Sequence, residues 1–352
     1  MKKVNYGIAF FALSLGLFLA CKKEPNVAPT PDTELQTSID ASYATFLASD
    51  VEMVASVMGE DASGSKAQFY EPAANSTGTT TVIRNVQTNR FSYTFNNTLC
   101  KDGHLRDGSV WMYFKETAYA VNPITGNENY TRDYNFTGRI TLEEYKVDGW
   151  LIDNKDYMNS DPATNNTTIL LRNLRPDNKT PIAGNLKWSY SAGLTMKKNL
   201  DSMAWYGTLI KTLENTSDTK VFAASAQSPI TWSLAVISYV GDAKGYTPGN
   251  VPYTIKYYEK YPLKRDFTCS PDKLASVTLT TTGIDPHNSE FHPLVGGIAS
   301  FTTGSAYPRE IYYDNTGNTY GGDENPVLLP SQCDNKATVQ IKGIYYPIDM
   351  KK

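Results

Sequence analysis

The densest group of residues that could bind a metal ion lies between His287 and His292. His287, Glu290 and His292 offer two imidazoles and one carboxylate, which are ligand types that zinc accepts. In a strand, residues 290 and 292 would face one side and residue 287 the other, and the spacing differs from the His-Glu-x-x-His helix motif. A polar loop between strands accounts for these zinc candidates more simply, and we predict no bound cofactor.

Short patterns typical of nucleophilic catalysis also occur. The segments 63–66 and 270–273 match the Ser-x-x-Lys pattern of penicillin-recognising enzymes, but the Ser-Asp-Asn and Lys-Thr-Gly patterns that accompany it are missing from the sequence. Cys100 and His104 could form a nucleophile pair, although they fall in a predicted turn. The sequence also contains no Gly-x-Ser-x-Gly elbow and no phosphate-binding loop.

Aromatic residues concentrate in the middle of the chain, and they are the ligand-binding candidates of the sequence. Four of them are Trp188, Tyr190, Trp205 and Trp232. Flat aromatic faces on a rigid sheet suit stacking against sugars, with Asn and Asp side chains supplying hydrogen bonds. The alternative is that these rings belong to the core and pack across neighbouring strands.

The chain begins with a segment typical of a signal sequence, ahead of the elements that position these residues. Residues 1–20 have a short basic start and an apolar run that is shorter than the roughly 20 residues of a transmembrane helix, as in a secretory signal peptide. The run ends Leu-Phe-Leu-Ala-Cys at 17–21, which resembles a lipobox. We predict cleavage before Cys21 and attachment of acyl chains such as palmitate to it; an uncleaved anchor and cleavage without lipidation are the alternatives.

The mature chain then divides into three segments. Residues 21–32 are rich in Pro and charge and are typical of a flexible tether. Residues 33–60 carry apolar residues at helical spacing, which predicts one or two helices over 33–58 that end at Gly59. Residues 79–352 form a β-rich region, either one extended unit or two packed β units with a boundary near 175–180.

Alternating apolar and polar residues separated by Gly, Asn and Pro predict many strands in the β-rich region. The pairs Asp102-Gly103, Asp148-Gly149 and Lys342-Gly343 predict turns between them. No amphipathic helix recurs between them, so the predicted fold is mostly β, with antiparallel sheet or sheets preceded by a short N-terminal helical segment. The predicted strands cover 79–88, 90–95, 109–114, 139–147, 166–174, 184–192, 205–213, 219–225, 229–239, 252–258, 274–281, 297–303, 308–313 and 337–341.

Cysteine content and charge limit the possible partners. Cys100, Cys269 and Cys333 follow Cys21, and an exported compartment permits disulfides, so we predict a Cys269–Cys333 bond, with three free buried thiols as the alternative. The chain has 33 Lys and Arg against 36 Asp and Glu, and removal of residues 1–20 takes away two lysines. This balance argues against nucleic acid as a partner.

Three blocks carry a resemblance to a known group of proteins. They are the lipobox, the sequence FNNTLCKDGHLRDGSV at 95–110, and the sequence CDNKATV at 333–339. Together they resemble uncharacterised β-rich outer-membrane lipoproteins of Bacteroidetes bacteria, in which Cys, Asp-Gly-Arg, Arg-x-Gly and a β run follow an aromatic strand. His104 stands where Arg is usual. The resemblance implies location and β content, and it implies no activity.

The residues after the lipobox bear on orientation at the membrane. In these bacteria a Lys and acidic run after the lipidated Cys is associated with display on the outer surface, and residues 21–24 read Cys-Lys-Lys-Glu with a single acidic residue. Lys22, rather than Asp, favours the outer over the inner membrane. The resemblance therefore implies an outer-membrane anchor, while surface exposure and a periplasm-facing orientation both stay open.

The sequence supports three hypotheses about function. The first is a non-enzymatic, lipid-anchored envelope lipoprotein with a structural or surface-interaction role and an envelope protein as partner. The second is a glycan-binding surface lipoprotein of a nutrient-uptake system, because of the aromatic-rich middle. The third is a hydrolase whose catalytic residues come together only in the fold.

Overall fold

A computed structural model describes residues 31–60, 68–85, 90–114, 130–132, 134, 136–154, 169–177, 186–222, 230–267, 294–304, 307–313 and 336–350. In this part of the chain a single long helix precedes an antiparallel sheet of 15 strands. The predicted fold class, mostly β with an N-terminal helical segment, is confirmed. No helix of the described part is long and apolar enough to cross a membrane.

The helix α1 (Pro31–Glu60) lies inside the sheet. Every residue from Ala41 to Glu60 is buried, whichever side of the helix it occupies. An ordinary surface helix buries one apolar stripe, whereas a helix buried on all sides must be covered on all sides. Strands from both halves of the sheet, β2 (Arg90–Leu99) to β15 (Ile344–Asp349), contact α1, so the sheet curves around it.

The remaining strands follow in chain order with the bounds β1 Thr79–Asn85, β3 Leu105–Phe114, β4 Thr137–Val147, β5 Trp150–Asp153, β6 Ile169–Asn173, β7 Lys187–Lys198, β8 Asp201–Leu213, β9 Val236–Tyr246, β10 Pro252–Tyr257, β11 Leu263–Asp266, β12 Leu294–Thr303, β13 Arg309–Tyr313 and β14 Lys336–Ile341. The main path is β1-β2-β3-β4-β5-β7-β8-β9-β10-β12-β13-β14-β15. β6 joins β4 to β7, and β11 joins β9 to β12.

Tight turns join strands at the end of the sheet where α1 begins. Asp148 and Gly149 between β4 and β5, and Lys342 and Gly343 between β14 and β15, all have positive φ. Two successive residues with positive φ form the turn that suits the twist of a two-residue hairpin. The predictions of turns at Asp-Gly 148–149 and Lys-Gly 342–343 are therefore confirmed.

Several predicted elements differ from the observed ones. The helix runs from Pro31 to Glu60, slightly beyond 33–58 at both ends. The strand predicted at 219–225 is wrong for residues 219–222, which form turns, and the strand at 274–281 lies outside the described residues. Strands β5, β11 and β15 were not predicted. β6 pairs with β7, so the strands on either side of 175–180 belong to one sheet.

Candidate functional site

The four aromatic residues predicted to bind a ligand lie in the interior. Trp188, Tyr190, Trp205 and Trp232 are almost completely buried. The Trp205 indole Nε1 donates a hydrogen bond to Thr45 Oγ1 of α1 at 3.2 Å. Rings with no exposed face cannot stack against a sugar from solvent, so in this structure these residues are core and cross-strand packing residues.

Two of these rings surround a buried lysine. The Lys211 ammonium lies 4.6 Å from the ring centre of Trp188 and 4.8 Å from that of Trp232. It donates hydrogen bonds to Glu52 at 2.5 Å and to Ser56 at 2.6 Å, one turn apart on α1. Burial lowers the pKa of Lys211, and Glu52 offsets part of that effect. The two indole rings thus stabilise the Lys211 ammonium, which extends from β8 to α1.

A second charged cluster lies on the opposite side of α1. Both oxygens of Asp50 accept hydrogen bonds from the Arg106 guanidinium, at 2.7 and 3.2 Å, and Tyr145 donates a third at 2.7 Å. Arg106 also binds both oxygens of Asp102. Burial alone raises the pKa of the Asp50 carboxyl, but Arg106, with Arg265 and Tyr145, outweighs burial and holds the pKa at about 2.

The two residues of the possible Cys-His nucleophile pair are buried in separate interactions. The Cys100 thiol donates to the Thr98 carbonyl at 3.7 Å, and burial raises its pKa to about 12. His104 Nδ1 lies 2.7 Å from Asp148 Oδ2. A thiol with so high a pKa supplies very little thiolate at neutral pH, which is the opposite of an activated cysteine nucleophile.

Other predicted sites lie outside the described residues. They are the zinc candidates His287, Glu290 and His292, the disulfide candidates Cys269 and Cys333, and the lipidation site Cys21. In the described part of the chain, no group of three or more His, Cys, Asp or Glu residues is placed to hold a metal ion. Cys100 is the one free cysteine in that part.

The solvent-facing side of β2, β3 and β4 carries an aromatic and charged cluster, which we call the Trp111 cluster; its members are Arg90, Trp111, Tyr113, Arg139 and Glu143. Trp111 and Tyr113 are half-buried, and the other three are exposed. The Arg90 guanidinium lies 3.8 Å from the Trp111 ring centre and 5.2 Å from that of Tyr113. Trp111 Nε1 donates to Glu143 at 2.9 Å.

A bulge in β4 positions Glu143 in this cluster. Glu144 has a φ of 51° and Gly108 opposite it has a φ of 84°, and the register of β3 and β4 shifts there. Two consecutive residues, Glu143 and Glu144, are therefore exposed, and Tyr145 turns inward to Asp50. The bulge thus places the Glu143 carboxylate on the outer surface and the Tyr145 hydroxyl against the buried Asp50 carboxylate.

Sequence reasoning missed the Trp111 cluster, although a signal for it was present. Val110, Met112 and Phe114 alternate with Trp111 and Tyr113 in β3, and the three are buried. Because side chains alternate between faces of a strand, an inward 110, 112 and 114 requires an outward 111 and 113. All five tryptophans lie in the described residues, and among them only Trp111 reaches the surface.

Comparisons of the chain with protein-family models, with curated proteins and with solved structures found no match.

Proposed function

We propose that this protein is a lipid-anchored envelope lipoprotein that acts by binding rather than by catalysis. The observation that carries the proposal is the lipobox-like sequence at 17–21, which follows an apolar run typical of a secretory signal. The likeness of the blocks at 95–110 and 333–339 to outer-membrane lipoproteins of Bacteroidetes supports the same location. The acyl chains on Cys21 hold the protein at the bilayer, and surface-exposed and periplasm-facing orientations both fit.

The start of the described structure fits an anchor at Cys21. Pro31 opens α1 only ten positions after Cys21. An extended chain spans at most about 3.5 Å per residue, so the beginning of the helix stays within roughly 35 Å of the acylated cysteine. The rest of the helix is enclosed by the sheet, and the sheet is therefore held close to the bilayer.

Metabolic labelling with an alkyne analogue of palmitate tests this function. We expect the wild-type chain to incorporate the label and to fractionate with membranes, and the Cys21→Ser variant to lose the label. Cys100→Ser, which changes the buried thiol, is the matched control and should remain labelled. Unlabelled wild-type protein, or a labelled Cys21→Ser variant, would contradict the proposal.

A second function, glycan binding, is supported by the Trp111 cluster and not by the buried aromatics. A surface Trp next to Tyr, with Arg and Glu side chains beside it, offers a stacking face and hydrogen-bonding groups. Isothermal titration calorimetry with a panel of polysaccharides tests this function, because its signal does not depend on Trp111 as a fluorophore. We expect saturable binding of a glycan that is lost in Trp111→Ala and kept in Tyr246→Ala, an exposed aromatic on another strand. Equal responses of the two variants would contradict it.

A further inference from the structure

Four of the five most exposed large apolar side chains in the described part of the chain lie at the turns of one end of the sheet. Leu200, at the β7–β8 turn, is fully exposed. Tyr246 ends β9, Tyr307 precedes β13 and Ile344 begins β15, and their exposed fractions are 44%, 60% and 57%. We call these four residues the turn-end residues. Such a concentration of exposed apolar side chains at one end of a domain is typical of an interaction surface.

Contacts with α1 show which end this is. In β8, Trp205 contacts Thr45, and Lys211, further along the strand, contacts Glu52. The strand therefore advances in the same direction as the helix, and Leu200, just before β8, lies beyond Trp205 toward the start of α1. The C-terminal strands agree, because Tyr253 pairs with Thr303, which puts the end of β12 beside the end of β9. Gly304, Tyr307 and the turn at 342–343 therefore lie at this same end.

Basic side chains accompany the turn-end residues. Lys197 and Lys198 precede Leu200, and the Lys342 ammonium lies 3.8 Å from the centre of the Tyr307 ring. Asp201 also lies at this end, directly opposite Lys198 in the hairpin register. Tyr and Lys together suit the headgroup level of a bilayer, where a ring contacts acyl chains and an ammonium contacts phosphates.

We propose that the turn-end residues contact the lipid surface in which Cys21 is anchored. This inference rests on the proposed function, because Pro31 lies only ten positions after Cys21, and this short connection brings the start of α1, and with it these turns, toward the bilayer. The protein is then held at the membrane in one orientation, with the start of α1 toward the lipid and the other end of the sheet away from it.

Fluorescence quenching by lipids with brominated acyl chains tests the orientation. The lipidated full-length protein is placed in vesicles of zwitterionic and anionic phospholipid, as wild type, Leu200→Trp and Leu234→Trp. Leu234 is the matched control, since it is also an exposed leucine but lies at the other end of the sheet. It follows Trp232, whose ring contacts the Lys211 ammonium at that end. We expect brominated lipid to reduce the added fluorescence of Leu200→Trp and to leave that of Leu234→Trp unchanged.

Co-flotation with the vesicles is measured in the same samples. Protein that floats but shows no quenching at Leu200→Trp, or equal quenching at both positions, would overturn the orientation while leaving the lipid anchor intact. Protein that does not float would overturn both the anchor and the orientation. In the Leu200→Trp background, Tyr307→Asp with Ile344→Asp should reduce the quenching, and no change in this double variant would also contradict the inference.

Discussion

Asp50 of α1 and Arg106 of β3 form an ion pair in the interior, with the Arg106 Nη2 and Asp50 Oδ1 atoms 2.7 Å apart and both side chains fully buried. The two residues are 56 positions apart in the chain. Arg265, from the other half of the sheet, lies 3.6 Å from the same oxygen. One carboxylate on the helix therefore connects two distant parts of the sheet.

Removal of the Asp50 charge should strongly destabilise the fold. Asp50→Asn leaves the buried Arg106 and Arg265 guanidinium groups with one carboxylate fewer, and breaking a buried pair costs about 3 kcal/mol. Asp107→Asn is the control, because Asp107 pairs with Lys146 where both side chains are about 40% exposed. This variant should lose less than about 1 kcal/mol of unfolding free energy. Denaturant unfolding measures both, and equal costs would contradict the role of Asp50.

The Glu52–Lys211 pair should show strong coupling in a double-mutant cycle. Glu52→Gln or Lys211→Met alone leaves one buried charge without its partner, and we expect a loss of about 3 kcal/mol for each. The double variant should lose much less than the sum, because no unpaired charge remains. Additive losses in denaturant unfolding would show that the two charges do not depend on each other.

His104 should make stability fall as pH rises above neutrality. Burial lowers the pKa of this imidazole, but the neighbouring carboxylates of Asp148 and Asp102 together outweigh burial, and the net pKa is raised above 6.5. A raised pKa contributes stability that is fully present below the ordinary value and is lost as pH rises through the folded value. The excess unfolding free energy of wild type over His104→Gln should therefore be larger near about pH 6 than near about pH 9. A constant excess would contradict this.

The bulge that places Glu143 and Tyr145 should depend on Gly108. A Cβ at Gly108 would lie 2.2 Å from the Glu144 carbonyl oxygen, and its φ of +84° is unfavourable to other residues. Gly343 has a similar φ of +77° with nothing within 4 Å, so Gly343→Ala reports the backbone cost alone, about 1 kcal/mol. Gly108→Ala should cost clearly more in thermal unfolding. Equal shifts in Tm would show that the close approach is unimportant.

The sequence predicted the positions of the helix and of most strands better than the way these elements pack together. Period-two alternation located most strands, and the Asp-Gly and Lys-Gly turns were correct because positive φ is a local property of the backbone. β5 and β11, with four residues each, are too short for alternation to show, and Pro347 interrupts the pattern of β15.

The burial of α1 on all sides was not predictable from its own residues. Asp50, Glu52 and Glu60 interrupt its apolar pattern and would ordinarily mark a solvated face. Their partners Arg106, Lys211 and Arg132 come from distant parts of the chain, and only the curved sheet brings these charges together. The same curvature encloses the central tryptophans and leaves Trp111 on the outer surface.

The most direct test of the central claim is the mass of the N-terminal peptide of the mature protein purified from membranes. A lipid anchor predicts a peptide that begins at Cys21 and carries the mass of a diacylglyceryl group, with or without a third acyl chain on its amine. An unmodified Cys21, or a mature N terminus at any other residue, would contradict the proposal that acyl chains hold this sheet-enclosed helix at the membrane.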